Sequence, residues 1–111
     1  MEKSVLTIMQ GDQYYIPFSI KFDDGSVADG GTFDDVEIVL GGIRKTMSGG
    51  AVTYDVVSGS FLFPITQAES FKLIPGTPVL QIRVKPKESS DVIGVYVGPV
   101  SVTKSESKAV L

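Results

Sequence analysis

The sequence has no cysteine, no histidine and no tryptophan. Without cysteine the chain forms no disulfide and no thiolate metal site, so it differs from the small secreted domains that disulfides staple together. Without histidine it lacks the commonest general base and transition-metal ligand, which excludes Ser-His-Asp and Cys-His catalytic sites. We therefore predict that the protein is not an enzyme and that it needs no cofactor.

Long apolar runs and an excess of positive charge are missing too. No apolar run approaches the length of a membrane span, and the N-terminal run is too short for a signal peptide. The 111 residues carry a net charge of −3, so the chain lacks the excess of positive charge that is typical of nucleic-acid-binding domains. We expect a soluble domain over residues 1–103, followed by a polar tail at 104–111, with neither a membrane nor nucleic acid as partner.

Short segments with alternating apolar residues make up most of the chain. This period of two predicts β-strands that each bury one face. Turn signals rich in glycine, aspartate and serine separate them. Pro17 lies inside one segment and cannot donate a ladder hydrogen bond, which predicts an edge strand or a bulge there. Seven or eight such strands predict an all-β fold, an antiparallel sandwich with Greek-key connections.

One short helix interrupts the strands at about residues 66–74. Thr66 and Glu69 have the spacing of a capping box, in which each side chain satisfies a backbone donor of the first turn. A Pro-Gly dipeptide ends the segment. At about two turns it is too short to stand alone, and we expect a crossover helix that caps one end of the β core. Three of its apolar residues are expected to face inward: Ala68, Phe71 and Ile74.

The last apolar run changes parity along the chain. Ile93, Val95 and Val97 occupy odd positions, whereas Val100 and Val102 occupy even ones. A one-residue slip turns every side chain of a strand to the other face. We therefore expect a bulge or break at the intervening Gly-Pro, which would keep both groups on the core side.

A loop between two predicted strands is rich in aspartate. Carboxylate oxygens suit Ca²⁺, but the spacing does not match an EF-hand loop and no glutamate stands at the bidentate position. Aspartate also favours turns because it accepts local backbone hydrogen bonds. The sequence favours solvated turn residues, with a calcium site as the alternative, for Asp23, Asp24, Asp29, Asp34 and Asp35.

Four residues are candidates for contact with a partner. Tyr15 and Tyr96 fall opposite the predicted core face of their strands, and tyrosine is enriched at interfaces because its ring is apolar and its tip polar. Arg83 and Lys85 share one face of a strand. That row is expected to be a solvated face that discourages edge pairing, with a contact between protomers as the alternative.

The order of several segments carries a resemblance over residues 11–102. Gly11-Asp12 leads into IPFSIKFDDGS, and then come VEIVL, YDVVSGSFLFPIT, QAESFKLIPG, LQIRVK and VGPVSV. In this order the chain resembles the small immunoglobulin-like domains of phage and prophage structural proteins, in particular the N-terminal domain of siphophage baseplate upper proteins. We expect no fibre or receptor-binding region after the sandwich, and in this the chain would depart from those longer proteins.

The resemblance implies an immunoglobulin-like sandwich that works by protein–protein contact. It implies a virion component of the tail, baseplate or head–tail connector, made in the cytoplasm of the bacterial host. The implied partners are other phage structural proteins and further copies of the chain in a ring. A carbohydrate-binding or adhesion module is the alternative, although the lack of tryptophan weighs against a sugar-stacking site.

Overall fold

The computed structural model describes residues 7–21 and 25–111, which form short β-strands and one helix. In this part of the chain no helix is long and apolar enough to cross a membrane. The elements are β1 (Thr7–Met9), β2 (Tyr14–Phe18), β3 (Phe33–Leu40), β4 (Ile43–Thr46), β5 (Thr53–Asp55), β6 (Ser60–Ile65), α1 (Gln67–Phe71), β7 (Val79–Pro86), β8 (Ile93–Pro99) and β9 (Ser101–Thr103).

The described strands form two antiparallel sheets and one parallel pair. The four-stranded sheet has the order β4-β3-β7-β8, and the three-stranded sheet has the order β2-β6-β5. Strands β1 and β9 pair in parallel. The predicted all-β sandwich with one short helix is confirmed. Nine strands are described against seven or eight predicted, because the last predicted run is divided between β8 and β9.

One core joins the two antiparallel sheets. Strands β3 and β7 pair so that their inward residues stand opposite one another, as Ile38 does with Ile82. The Phe33 ring of β3 lies 6.2 Å from the Phe61 ring of β6, centroid to centroid, so both sheets contribute to the same cluster. The alternation predicted for three strands is confirmed by their almost fully buried residues: Val36, Ile38, Leu40, Phe61, Phe63, Ile65, Leu80, Ile82 and Val84.

Helix α1 begins at the predicted capping box. The Thr66 hydroxyl accepts a hydrogen bond from the Glu69 backbone N–H at 3.2 Å, and the Glu69 carboxylate accepts one from the Thr66 N–H at 3.0 Å. Two backbone donors of the first turn are thereby satisfied. The helix lies between β6 and β7 in the chain and so connects the three-stranded sheet to the four-stranded sheet.

The inward face of this segment differs from the predicted one. Ala68 is exposed and Ile74 is 78% exposed, whereas Ser70 and Leu73 are buried. The Ser70 hydroxyl donates to the Asp12 carbonyl at 2.8 Å and accepts from the Gly11 N–H at 2.9 Å. These polar contacts hold a five-residue helix against the β1–β2 turn. Apolar spacing could not predict that orientation, because hydrogen bonds set it.

The polar tail at 104–111 lies against the domain. The Gln10 side-chain oxygen accepts hydrogen bonds from the Lys108 ammonium at 2.6 Å and from the Ser105 N–H at 3.2 Å. The Leu111 N–H donates to the Gln67 side chain at 2.8 Å. The tail therefore contacts the β1–β2 turn and α1.

Candidate functional site

The free edges of the sheets are the first place to look for a protein-binding surface. In the described part of the chain, the four-stranded sheet ends at β4 and β8, and the three-stranded sheet ends at β2 and β5. An edge strand presents unpaired backbone N–H and C=O groups, which another strand can use. Soluble proteins therefore protect such edges with charge, proline, bulges or short length.

Strands β2, β4 and β5 carry such protection. Pro17 removes a backbone donor from β2, one residue before its end, and stands opposite Leu62 of β6, which agrees with the predicted edge position. Strand β4 has the sequence IRKT and so presents Arg44 and Lys45. Strand β5 has three residues and ends at Asp55. These three edges are poor templates for a further strand.

Strand β8 is longer and has no charge. Its seven residues are IGVYVGP, and no charged residue occurs between Val92 and Thr103. Exposed apolar side chains follow one another along it, with relative exposures from 40% to 67%: Val92, Ile93, Val95, Tyr96 and Val97. A long, apolar and uncharged edge is the kind that natural proteins normally avoid or cover.

The register with β7 shows which way these side chains point. Tyr96 stands opposite the core residue Ile82, and Val97 stands opposite Gln81. Residues that stand opposite each other share a face of the sheet, so Tyr96 lies on the core side and Val97 on the outer side. A register shift places Val95 between the paired residues, as a bulge. Apolar side chains therefore line both faces of β8.

This arrangement corrects the prediction for the last run. The expected group on the core side was Ile93, Val95 and Val97, but Val97 points outward and all three are exposed. A break does follow the Gly-Pro dipeptide, between β8 and β9, but the bulge lies at Val95. Val100 and Val102, by contrast, are buried as predicted, next to and within β9.

The core-side residues of β8 remain exposed because the facing sheet does not cover this strand. Ile93 is 47% exposed and Tyr96 is 40% exposed, although both lie on the core side of the sheet. The Tyr96 ring lies over Gly98, where a β-carbon would collide with the ring. The ring thus extends along the strand and adds apolar surface to the edge.

An ion-paired cluster lies on the outer face beside β8. The Arg83 Nε stands 2.6 Å from one Glu37 carboxylate oxygen, and the Arg44 Nε contacts the other. The Glu37 side chain is 10% exposed because the two arginines, at 46% and 64%, cover it. Hydrogen bonds from Arg83 and then Arg44 hold the pKa of Glu37 below its ordinary value.

A shallow cleft of about 140 Å³ separates this cluster from the start of β8. It is lined by Asp35, Glu37, Arg44, Arg83, Lys85 and Val92. Three cations and two carboxylates largely neutralise one another there, so the cleft has no strong preference for an anion. The predicted row of Arg83 and Lys85 does share the exposed face of β7. Arg83 is engaged by Glu37, so its guanidinium is not wholly available to a partner.

The described residues of the aspartate loop are engaged in local hydrogen bonds. Asp29 accepts from the Gly31 N–H at 2.9 Å, and Asp34 accepts from the Glu88 N–H at 3.1 Å. Burial raises the pKa of Asp35, but hydrogen bonds from Ser48 and the Val36 N–H outweigh it and leave that pKa lowered. Among the described residues no three acidic side chains could hold a metal ion together. Asp23 and Asp24 lie outside the described residues, so calcium binding by the whole loop stays a prediction.

The two candidate tyrosines lie on different sheets. Tyr15 is 63% exposed on β2, whereas Tyr96 is on β8. They do not form one platform of the kind that a sugar-stacking site needs. The prediction that Tyr96 points away from the core is wrong, since Tyr96 stands opposite Ile82 on the core side of the sheet. The exposure of its valine neighbours was not predicted, because alternating apolar residues predict a buried face. The signal that could have found them is the charge-free stretch from Val92 to Thr103.

The comparisons with known proteins identify no relative of this chain. No protein-family model, no curated protein and no solved structure matches the chain significantly. The case for a function therefore depends on the fold and on the surface that β8 exposes.

Proposed function

We propose that the protein is a non-enzymatic structural module that works by protein–protein contact through the free edge of β8. The single observation that carries this proposal is the exposed, uncharged apolar strand at one edge of an otherwise protected sandwich. Strand addition to such an edge forms backbone hydrogen bonds and covers the apolar side chains at the same time.

The contrast with the protected edges supports an interaction role over an incidental exposure. Scattered exposed apolar residues are ordinary on a protein surface. Here five of the six residues from Val92 to Val97 are exposed and apolar, and no lysine or glutamate interrupts them. An exposed edge of this kind is an aggregation hazard unless a partner covers it. A partner that adds a strand removes the hazard.

The place of such a module in a virion is supported by the order of segments over residues 11–102. That order is similar to the immunoglobulin-like domains of phage baseplate proteins. We propose a component of a phage or prophage tail, baseplate or connector, made in the host cytoplasm and assembled with other structural proteins. Tail, tape-measure or portal genes beside this gene would support that placement, and metabolic genes there would contradict it.

Binding to purified products of the neighbouring genes tests the contact function. Val97→Lys adds a charge to the exposed edge, and Val57→Lys makes the same change at a valine that is 96% exposed on the β5–β6 turn. In a calorimetric titration we expect Val97→Lys to weaken a measured contact and Val57→Lys to leave it unchanged. Equal affinities for both variants would contradict a role for β8.

The carbohydrate-binding alternative remains a prediction that the fold does not favour. It needs exposed aromatic rings gathered on one face, and Tyr15 and Tyr96 lie on separate sheets. A glycan array gives the test, and we expect no binding.

A further inference from the structure

We propose that the β1–β2 turn and α1 form a binding site for an extended, lysine-bearing peptide segment of another protein, and that the chain's own tail occupies this site until that segment binds. The site, called the tail site below, consists of Gln10, Gln67 and Phe71, which contact the tail at 104–111. It shares no residue with β8, so its test is independent of the contact proposed for that strand.

The Gln67 side-chain amide pairs with the backbone of the tail. Its oxygen accepts a hydrogen bond from the Leu111 N–H at 2.8 Å, and its nitrogen donates one to the Leu111 carbonyl at 3.1 Å. A carboxamide has both a donor and an acceptor, so it satisfies the same two backbone groups that a neighbouring strand would satisfy. No side chain of the tail takes part in these two bonds, so any extended segment can form them.

Gln10 and Phe71 together receive an ammonium group. The Gln10 side-chain oxygen accepts a hydrogen bond from the Lys108 Nζ at 2.6 Å, and this nitrogen stands 5.8 Å from the centre of the Phe71 ring. A cation at this distance is attracted by the face of the ring as well as by the oxygen. The side chain that the tail site selects is therefore a lysine, three positions before the residue whose backbone pairs with Gln67.

Contacts that do not involve the tail hold these side chains in place. The Gln10 side-chain nitrogen donates to the Leu73 carbonyl at 2.9 Å, which directs the amide oxygen toward the tail. The Phe71 ring lies against Gly11, where a β-carbon would come within 2.9 Å of the ring. The acceptor and the ring are thus positioned before a peptide arrives, which reduces the cost of binding one.

The tail buries little of itself on this site. Residues 106–111 are all exposed, including the apolar side chains of Val110 and Leu111. The attachment of the tail therefore depends on a few hydrogen bonds, and their net strength is small because each replaces a bond to water. Fixing the segment also costs conformational entropy. A peptide that forms the same bonds and adds apolar contacts can displace the tail.

The tail of a second copy has no advantage over the chain's own tail. The two offer identical groups, but the tethered tail is present at an effective concentration on the order of millimolar. An identical tail from another copy therefore competes poorly at ordinary protein concentrations. For this reason we assign the displacing segment to a different protein, which supplies the lysine and further apolar contacts.

Fluorescence anisotropy with the labelled peptide KSESKAVL, which has the sequence of residues 104–111, tests the site in the full chain. Lys108→Glu removes the ammonium group from the tethered tail, so this chain should bind the peptide about tenfold more tightly than the wild type does. Lys104→Glu makes the same charge change at an exposed residue of the same tail and should bind the peptide as weakly as the wild type. Equal affinities of the three chains would overturn occupancy of the site by the tail.

The residues of the tail site are tested in the chain that carries Lys108→Glu. Addition of Gln67→Ala should weaken peptide binding by about tenfold, since both backbone bonds are lost. Addition of Gln81→Ala on β7, the matched control, should leave the affinity unchanged. Circular dichroism and a melting curve establish that each chain is folded. Peptide binding that does not depend on Gln67 would overturn the assignment of the site.

Two further measurements test the lysine and the source of the segment. The peptide KSESEAVL, with glutamate in place of the second lysine, should bind the Lys108→Glu chain about tenfold more weakly than KSESKAVL does. Equal binding of the two peptides would overturn selection of a lysine. In sedimentation analysis the wild type should be a monomer. A dimer that Lys108→Glu dissociates would show that tails exchange between copies, and it would overturn a separate protein as the source.

Discussion

The two edges of the four-stranded sheet, β4 and β8, end the same sheet with opposite chemistry. On β4 the Lys45 ammonium lies 2.7 Å from the Glu69 carboxylate, donates to the Pro64 carbonyl and stands 5.3 Å from the centre of the Phe63 ring. On β8 the side chains are uncharged and half exposed. The β4 edge is thus tied to β6 and α1, whereas β8 has no charged residue that could be tied in this way.

The proposed contact function depends on this difference. Charge on β4 disfavours pairing with a further strand, which leaves the apolar β8 as the proposed contact surface. The predictions that follow test each side of this comparison, from the largest expected effect to the smallest.

Replacement of Lys45 should have the largest effect on stability. Lys45→Met removes the ion-pair partner of the half-buried Glu69 carboxylate, which keeps only its hydrogen bonds from Thr66, and it removes a donor from the Pro64 carbonyl. We expect the free energy of unfolding to fall by about 2 kcal/mol. Val97→Met on β8 is the matched substitution and should change it by less than about 0.5 kcal/mol. Urea denaturation at low protein concentration measures both, and equal losses would contradict a structural role for the β4 edge.

Much of the fold around β4 could be predicted from the sequence. Alternation identified β3, β6 and β7, because each of these strands buries one face, and Pro17 identified β2 as an edge. The capping box of α1 was also predictable, since it is a local pattern. The Lys45–Glu69 pair was not, because it joins residues 24 positions apart and depends on how β4 and α1 pack.

The exposure of the β8 side chains could not be predicted from the alternation of apolar residues. A period of two shows that side chains alternate between faces, but it does not show whether a facing sheet covers them. Ile93 and Tyr96 lie on the core side and are exposed all the same. The ion pair between Glu37 and Arg83, which are 46 positions apart, could not be predicted either, because only the β3–β7 register brings the two residues together.

Acid should weaken the ion-paired outer face. The folded-state pKa of Glu37 is lowered, chiefly by Arg83, so protons bind the unfolded chain first as the pH falls below the ordinary value of 4.5. The stability from this group is therefore complete above that pH and is lost as the pH falls through the lowered pKa. Glu37→Gln should cost about 1–2 kcal/mol at pH 7 and flatten the acid side of the stability profile.

The control for this titration is the exposed residue Asp91, changed to asparagine. Asp91→Asn should leave both the stability at pH 7 and the acid slope close to those of the wild type. An unchanged acid slope in Glu37→Gln would show that the Arg44–Glu37–Arg83 cluster adds nothing to the stability of the outer face.

Removal of the charge from the outer face of β4 should have the smallest effect on stability and a visible effect on assembly. Arg44 is 64% exposed, so Arg44→Thr should change the free energy of unfolding by about 0.5 kcal/mol. It should nevertheless make the β4 edge a better template for a further strand and increase association of the chain at high concentration, which light scattering detects. Arg83→Thr removes the other Glu37 partner from an internal strand, and it should associate no more than the wild type. Association of Arg44→Thr no greater than that of the wild type would show that Arg44 does not protect the edge.

The most direct test of the central claim is amide hydrogen exchange of the wild-type chain, measured residue by residue with and without the purified product of a neighbouring gene that binds it. The β8 amides that do not pair with β7 should exchange about tenfold more slowly in the complex, because the partner covers them. Amides on the edges of β2 and β4 should exchange at the same rate in both samples. Exchange on β8 that binding does not slow, or protection on β2 or β4 in its place, would contradict the account.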